Sequence, residues 1–133
     1  MLPVIIEKLK SKKTVNFTPF GSSMLPLIRD GKDNVTIKQC EVYKKYDICL
    51  FLKDGNIVLH RIIRTKDRFV ARGDNTYKKE TDIEILGKVV KLVRRGKEVN
   101  LNGFFYKAYS ILWHKLFFAR LVLFKIKRRL KSI

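Results

Sequence analysis

Residues 48–63 read ICLFLKDGNIVLHRII, two apolar runs either side of Lys53-Asp54-Gly55-Asn56. Asp-Gly between apolar runs is a strong short-range hairpin signal, because both central positions of the tightest turn need positive φ. Working outward, residues 35–37, 68–72 and 86–93 are segments of the same kind, brief and rich in β-branched or aromatic side chains. Turn sequences such as Arg29-Asp30-Gly31-Lys32 and Arg72-Gly73-Asp74-Asn75 separate them. This pattern predicts a mainly β core built from hairpins over residues 1–98.

The texture changes near residues 98–103. Residues 1–90 carry 18 basic and 11 acidic side chains, whereas residues 91–133 carry 12 basic and one acidic, Glu98. Asn102 is a plausible helix cap, and neither Gly nor Pro interrupts residues 104–133. On a helical wheel Lys107, Ser110, His114, Lys125 and Arg128 share one sector. Tyr106, Tyr109, Trp113, Leu116, Phe117, Leu121, Leu123 and Phe124 fill most of the rest, with Arg120 and Lys127 among them. The expectation is a C-terminal basic amphipathic helix, residues 99–133, with His114 on its solvated side. Such a helix suits the headgroup layer of an anionic membrane, contacted through residues 104–131; a core-packing helix with a basic end is the plainer alternative.

With 133 residues, 46% of them hydrophobic, the chain is one domain with enough apolar content for a core. The net charge of +18 calls for an anionic partner but does not choose among peptide, membrane and nucleic acid. Nucleic acid is disfavoured, because the β region lacks interleaved aromatic and basic strands. Cys40 and Cys49 give neither a disulfide framework nor a metal spacing, so no metal or cofactor is expected. The opening apolar stretch stops at Glu7, too short for a secretory signal. Charges at Lys107, Lys115 and Arg120 break the best candidate span. A cytoplasmic protein is expected, with the inner membrane face as the surface its tail would touch.

Three places could carry chemistry. Phe20-Gly21-Ser22-Ser23-Met24-Leu25-Pro26 joins a glycine turn to a hydroxyl, and backbone N–H groups there could hold an oxyanion. On a strand over residues 57–63, Val58, His60 and Ile62 share one face while Leu59, Arg61 and Ile63 share the other. A histidine among apolar neighbours is held neutral and can accept a hydroxyl proton. Gly73-Asp74-Asn75 places a carboxylate that could orient an imidazole. Each has a plainer reading when taken alone: loop, core-edge histidine and turn.

Together, Ser23-Met24-x-Pro26, Arg29-Asp30-Gly31, Val58-x-His60-Arg61-Ile62 and Gly73-Asp74-Asn75 resemble the clan of serine peptidases that holds signal peptidases and LexA-like self-cleaving repressors. The resemblance covers about residues 17–95. It implies Ser23, the serine before Met, as nucleophile. Bacterial signal peptidases and LexA-like proteins place a lysine where this chain has His60; endoplasmic-reticulum-type and archaeal signal peptidases place a histidine there, followed by Gly-Asp-Asn. His60 and Asp74 match that histidine branch. Asp82 lies close to a second acidic position of the branch and is the alternative orienter. A lysine base works only once burial lowers its pKa by several units, whereas histidine starts near 6.5. Gly21 stands where many bacterial signal peptidases offer a hydroxyl, so an oxyanion hole would lean on backbone. Gly21, Ser22, Met24 and Pro26 would form the oxyanion and substrate-binding segment. No membrane anchor is expected among the 22 residues before Ser23.

The implied fold is a LexA/signal-peptidase-like β core. The implied activity is serine endopeptidase, with a precursor, leader or signal-type peptide cleaved through an acyl-enzyme on Ser23 and His60 as general base. The alternative is a non-catalytic module of the same fold that holds a peptide or partner at an anionic membrane surface.

Overall fold

The computed structural model describes residues 2–11, 14–21, 23–25, 27–76, 78–101 and 103–131. The expected hairpin is present: β3 (Ile48–Lys53) pairs antiparallel with β4 (Asn56–Arg64), Lys53 opposite Asn56. Asp54 and Gly55 between them take φ of 51° and 80°, as a tight turn of this hand requires. The remaining strands are β1 (Thr14–Phe17), β2 (Asn34–Lys38), β5 (Val70–Arg72), β6 (Glu84–Arg94) and β7 (Lys97–Val99). They form one antiparallel sheet in the order β1-β2-β6-β3-β4-β5, with β7 added to β6. The chain is therefore mainly β, with helices at its ends.

β3 lies between β6 and β4 and is buried on both faces, which explains its unbroken apolar run. Ile48 and Leu50 join the larger core with Val15, Val35, Ile37, Leu86 and Leu92. Cys49 and Phe51 point the other way and pack with Ile62 and Ala71. A helix at the start of the chain, α1 (Leu2–Lys10), places Leu9, Ile5 and Ile6 on the larger core. The charges after Ile6 lie on the exposed side of this helix; Glu7, Lys8 and Lys10 all face solvent.

The tail departs from the expected single helix. It forms α2 (Phe104–Lys115) and α3 (Phe117–Lys131), parted at Leu116. Arg120 reaches back across the junction and donates to the Trp113 carbonyl at 2.9 Å, a side chain inserted at the break. Gly103 is the N-cap of α2, and Asn102 lies outside the described residues. Of the sector expected to face solvent, Ser110 is buried, and half-buried His114 accepts from Arg72 Nη2 at Nδ1, 2.9 Å. Lys107 of the same sector stays exposed, whereas Ser110 and His114 turn inward because buried Arg61 and Arg72 beneath α2 need polar partners. No helix among the described residues is long and apolar enough to cross a membrane.

Candidate functional site

Strand alternation places His60 and Arg61 on opposite faces of β4. His60 sits opposite Cys49 with its ring edge against Phe51, centroids 5.9 Å apart. It is buried, and Nδ1 has no hydrogen-bond partner among the described residues. Burial pushes its pKa below the ordinary histidine value; the negative charges of Glu80 and Asp74 oppose that shift but do not overcome it.

Gly73 brings the three motifs together. A Cβ there would stand 2.6 Å from the Ser23 carbonyl oxygen and 3.0 Å from His60 Nε2. Only glycine permits main chain, serine segment and imidazole to approach this closely. The Asn75 N–H donates to the Ser23 carbonyl at 2.8 Å, and the Asp74 N–H points at Met24 Sδ at 3.4 Å. Gly-Asp-Asn thus fastens Ser-Met in place through backbone. The loop carrying Ser23 is held further along as well. Asp30 accepts from the Gly21 N–H at 2.7 Å. Buried Asp33 accepts from Arg29 and from Arg94 of β6, whose guanidinium also donates to the Leu27 carbonyl. Burial alone would raise the Asp33 carboxyl, but these hydrogen bonds outweigh it and hold its pKa at about 2.

Asp74 has a different partner from the expected one. Its carboxylate takes a two-pronged bond from Arg61, Nε to Oδ1 and Nη2 to Oδ2 at 2.8 Å each, and a third from Tyr109 Oη at 2.9 Å. Its backbone carbonyl accepts from Trp113 Nε1 at 2.8 Å and Arg120 Nη1 at 2.7 Å. The paired guanidinium–carboxylate geometry is stronger than a single bond to imidazole, and Arg61 lies on the opposite face from His60. Asp74 is therefore an anchor for the tail, acting on His60 only through its field. Asp82, the alternative orienter, is exposed at φ 55°. Half-buried Glu80 is the carboxylate with the largest influence on His60; its backbone pairs with Ala71 of β5 in both directions, at 2.9 and 2.7 Å.

The expected oxyanion and substrate segment divides. The Gly21 N–H is engaged by Asp30, and Met24 is a buried core residue. Ser22 and Pro26 lie outside the described residues. What sequence reasoning missed is an apolar cavity of about 670 Å³ that Ser23 borders, walled by Phe17, Met24, Ile28, Leu50, Ile57 and Leu59. Its walls come from five separate stretches of chain, so no single stretch announces it. Arg61 and Glu80 were equally missed as site residues, although each stands within two positions of a residue that was singled out.

No protein-family model matches the chain, and no curated protein is found similar to it.

Proposed function

We propose that the chain is a serine endopeptidase with Ser23 as nucleophile and His60 as general base and acid. One observation supports this reading: the Ser23 main-chain carbonyl and the Nε2 edge of a buried histidine with a lowered pKa both lie against Gly73, where a Cβ would stand 2.6 Å from the one and 3.0 Å from the other. In the proposed cycle, His60 Nε2 takes the Ser23 hydroxyl proton as Oγ bonds to the substrate carbonyl carbon. The proton then passes to the departing amine as the C–N bond breaks, leaving an ester on Ser23. Water, deprotonated by the same nitrogen, attacks the ester, and the proton returns to Oγ as the acid product leaves. During each proton transfer Nδ1 holds the other proton, and Glu80 supplies the nearby negative charge that favours the imidazolium.

The apolar cavity beside Ser23 supports a peptide with an apolar side chain next to the cleaved bond. A precursor or leader peptide fits this description, and processing at the cytoplasmic face of a membrane is the setting we propose. The test is to incubate the full chain with peptides bearing varied apolar residues and to follow new termini by mass spectrometry. Cleavage lost in Ser23→Ala and in His60→Ala, with unchanged circular dichroism, is expected. Cleavage retained in purified Ser23→Ala overturns the assignment. A wild-type chain that binds these peptides without cutting them favours the non-catalytic module.

A further inference from the structure

Three aromatic side chains of α2, Tyr106, Tyr109 and Trp113, are spent on the protein itself. Tyr109 and Trp113 bond Asp74, and Tyr106 lies against Arg61. They are the residues that a lipid-facing helix would turn outward. On α3 the arrangement is the reverse. Ala119, Val122, Leu123, Ile126 and Leu130 recur at helical spacing and all are exposed, Leu130 by 66% and Leu123 by 59%. Half-buried Phe117, Arg120 and Leu121 take the opposite side. Lys125, Arg129 and Lys127 flank the stripe, and Val122 and Ile126 share one open cleft with Lys125, Arg128 and Arg129. Residues 99–133 hold eight Lys or Arg and no Asp or Glu.

We propose that α3 alone is the docking element, laying its apolar stripe into the surface of an anionic bilayer while α2 stays on the sheet as its bracket. An apolar stripe bordered by long cationic side chains is the arrangement that buries hydrocarbon in the acyl boundary while ammonium and guanidinium heads meet lipid phosphate. Charge excludes the other occupants. A second copy would bring two helices without an acid face to face, where paired helices need opposite charges beside the seam. A nucleic-acid backbone would engage the cations and leave the aliphatic stripe in water. The interior of this protein does not cover the stripe, because the side of α3 that carries Phe117 and Leu121 is the partly covered one.

The proposal is independent of peptidase activity and is tested on the full chain by flotation with vesicles. Vesicles of phosphatidylglycerol and phosphatidylcholine in equal parts should carry the protein up; pure phosphatidylcholine should not. The triple variant Val122→Ser, Leu123→Gln, Ile126→Gln changes only exposed positions and should lower the partition coefficient at least about tenfold. Lys125→Gln with Lys127→Gln should lower it by roughly five-fold per lysine and flatten its salt dependence. Trp113 is the single tryptophan, and its emission should not shift on binding because α2 stays in place. Unchanged binding of the triple variant overturns the proposal in favour of simple charge attraction. Absence of flotation overturns it, as does self-association of the wild type that the triple variant abolishes. A blue shift of Trp113 overturns the division between α2 and α3.

Discussion

His60 and Arg61 are consecutive residues on one strand, both buried, and their polar atoms have opposite fates. Arg61 is saturated: Asp74 takes Nε and Nη2, while Nη1 reaches the Tyr46 carbonyl at 2.9 Å, Ser110 Oγ at 2.9 Å and Tyr106 Oη at 3.2 Å. His60 keeps a buried ring nitrogen, Nδ1, without a partner among the described residues. A buried polar group that is fully bonded holds structure together, whereas one left unsatisfied costs free energy that packing elsewhere must offset. On this view one face of β4 is built for stability and the other for chemistry. Exchanging or weakening the two residues shows whether that division is real.

The largest expected effect falls on the chemical face. His60→Ala should lower kcat on the order of 10⁴-fold or more, as loss of a base that acts as a unit with its nucleophile does. Its cost to stability should stay at the level of a removed ring, with the Arg61 node intact. Steady-state kinetics and a urea melt on the same sample check both halves. Arg61→Ala is the mirror experiment. It strands the Asp74 carboxylate in a buried site and should cost about 3–5 kcal/mol. Loss of activity there should accompany loss of fold, with α2 detaching first, as amide exchange along Tyr106, Tyr109 and Trp113 would report.

Between these lies Gly73→Ala. The new methyl meets both the Ser23 carbonyl and the His60 ring, so the alignment of serine segment and imidazole must change. Misplacement by about an ångström should cost roughly 10²-fold in kcat, well beyond its effect on the melting midpoint. Tyr109→Phe is smaller still. It removes one of three bonds to the Asp74 carboxylate and should cost about 1–1.5 kcal/mol, with kcat nearly unchanged.

The division between the faces was half legible in the sequence. Asp-Gly at residues 54–55 and the β-branched runs around it specify β3 and β4 locally, and the structure places them within a residue or so of the expected bounds. β7 was missed because its turn, Arg95-Gly96, takes positive φ at an arginine, which local preference does not announce. α1 was missed because its apolar face is short and makes sense only once the sheet beneath it exists. For the candidate site, the Ser23 main chain, the His60 ring and the Gly73–Asn75 backbone lie together. The partner of Asp74 was not legible, since it depends on Arg61 from the opposite face and on Tyr109 from 35 residues away. The same contacts invert α2: a wheel drawn on sequence assigns Ser110 to water, and only a buried guanidinium beneath it draws the hydroxyl inward.

The smallest effects are the pH shifts, and they bear most directly on which carboxylate serves His60. Burial depresses the His60 pKa, so the unfolded chain binds a proton more readily than the folded one. Stability from this residue is therefore complete above about 6.5 and declines as pH falls from there toward the folded pKa. His114, lowered first by burial and then by Arg72 and other cations, adds a second component of the same sign, which His114→Phe removes. In kinetics the ascending limb of kcat/KM should lie below 6.5, because only neutral imidazole accepts the Ser23 proton. Glu80→Gln removes the charge that most raises the His60 pKa, so the limb should move to lower pH. Weaker stabilisation of the imidazolium should bring a modest fall in kcat at neutral pH. Asp82→Asn, at an exposed turn position, should leave the limb where it is. If Asp82→Asn moves the limb and Glu80→Gln does not, the acidic partner of His60 is the one two residues further along the chain.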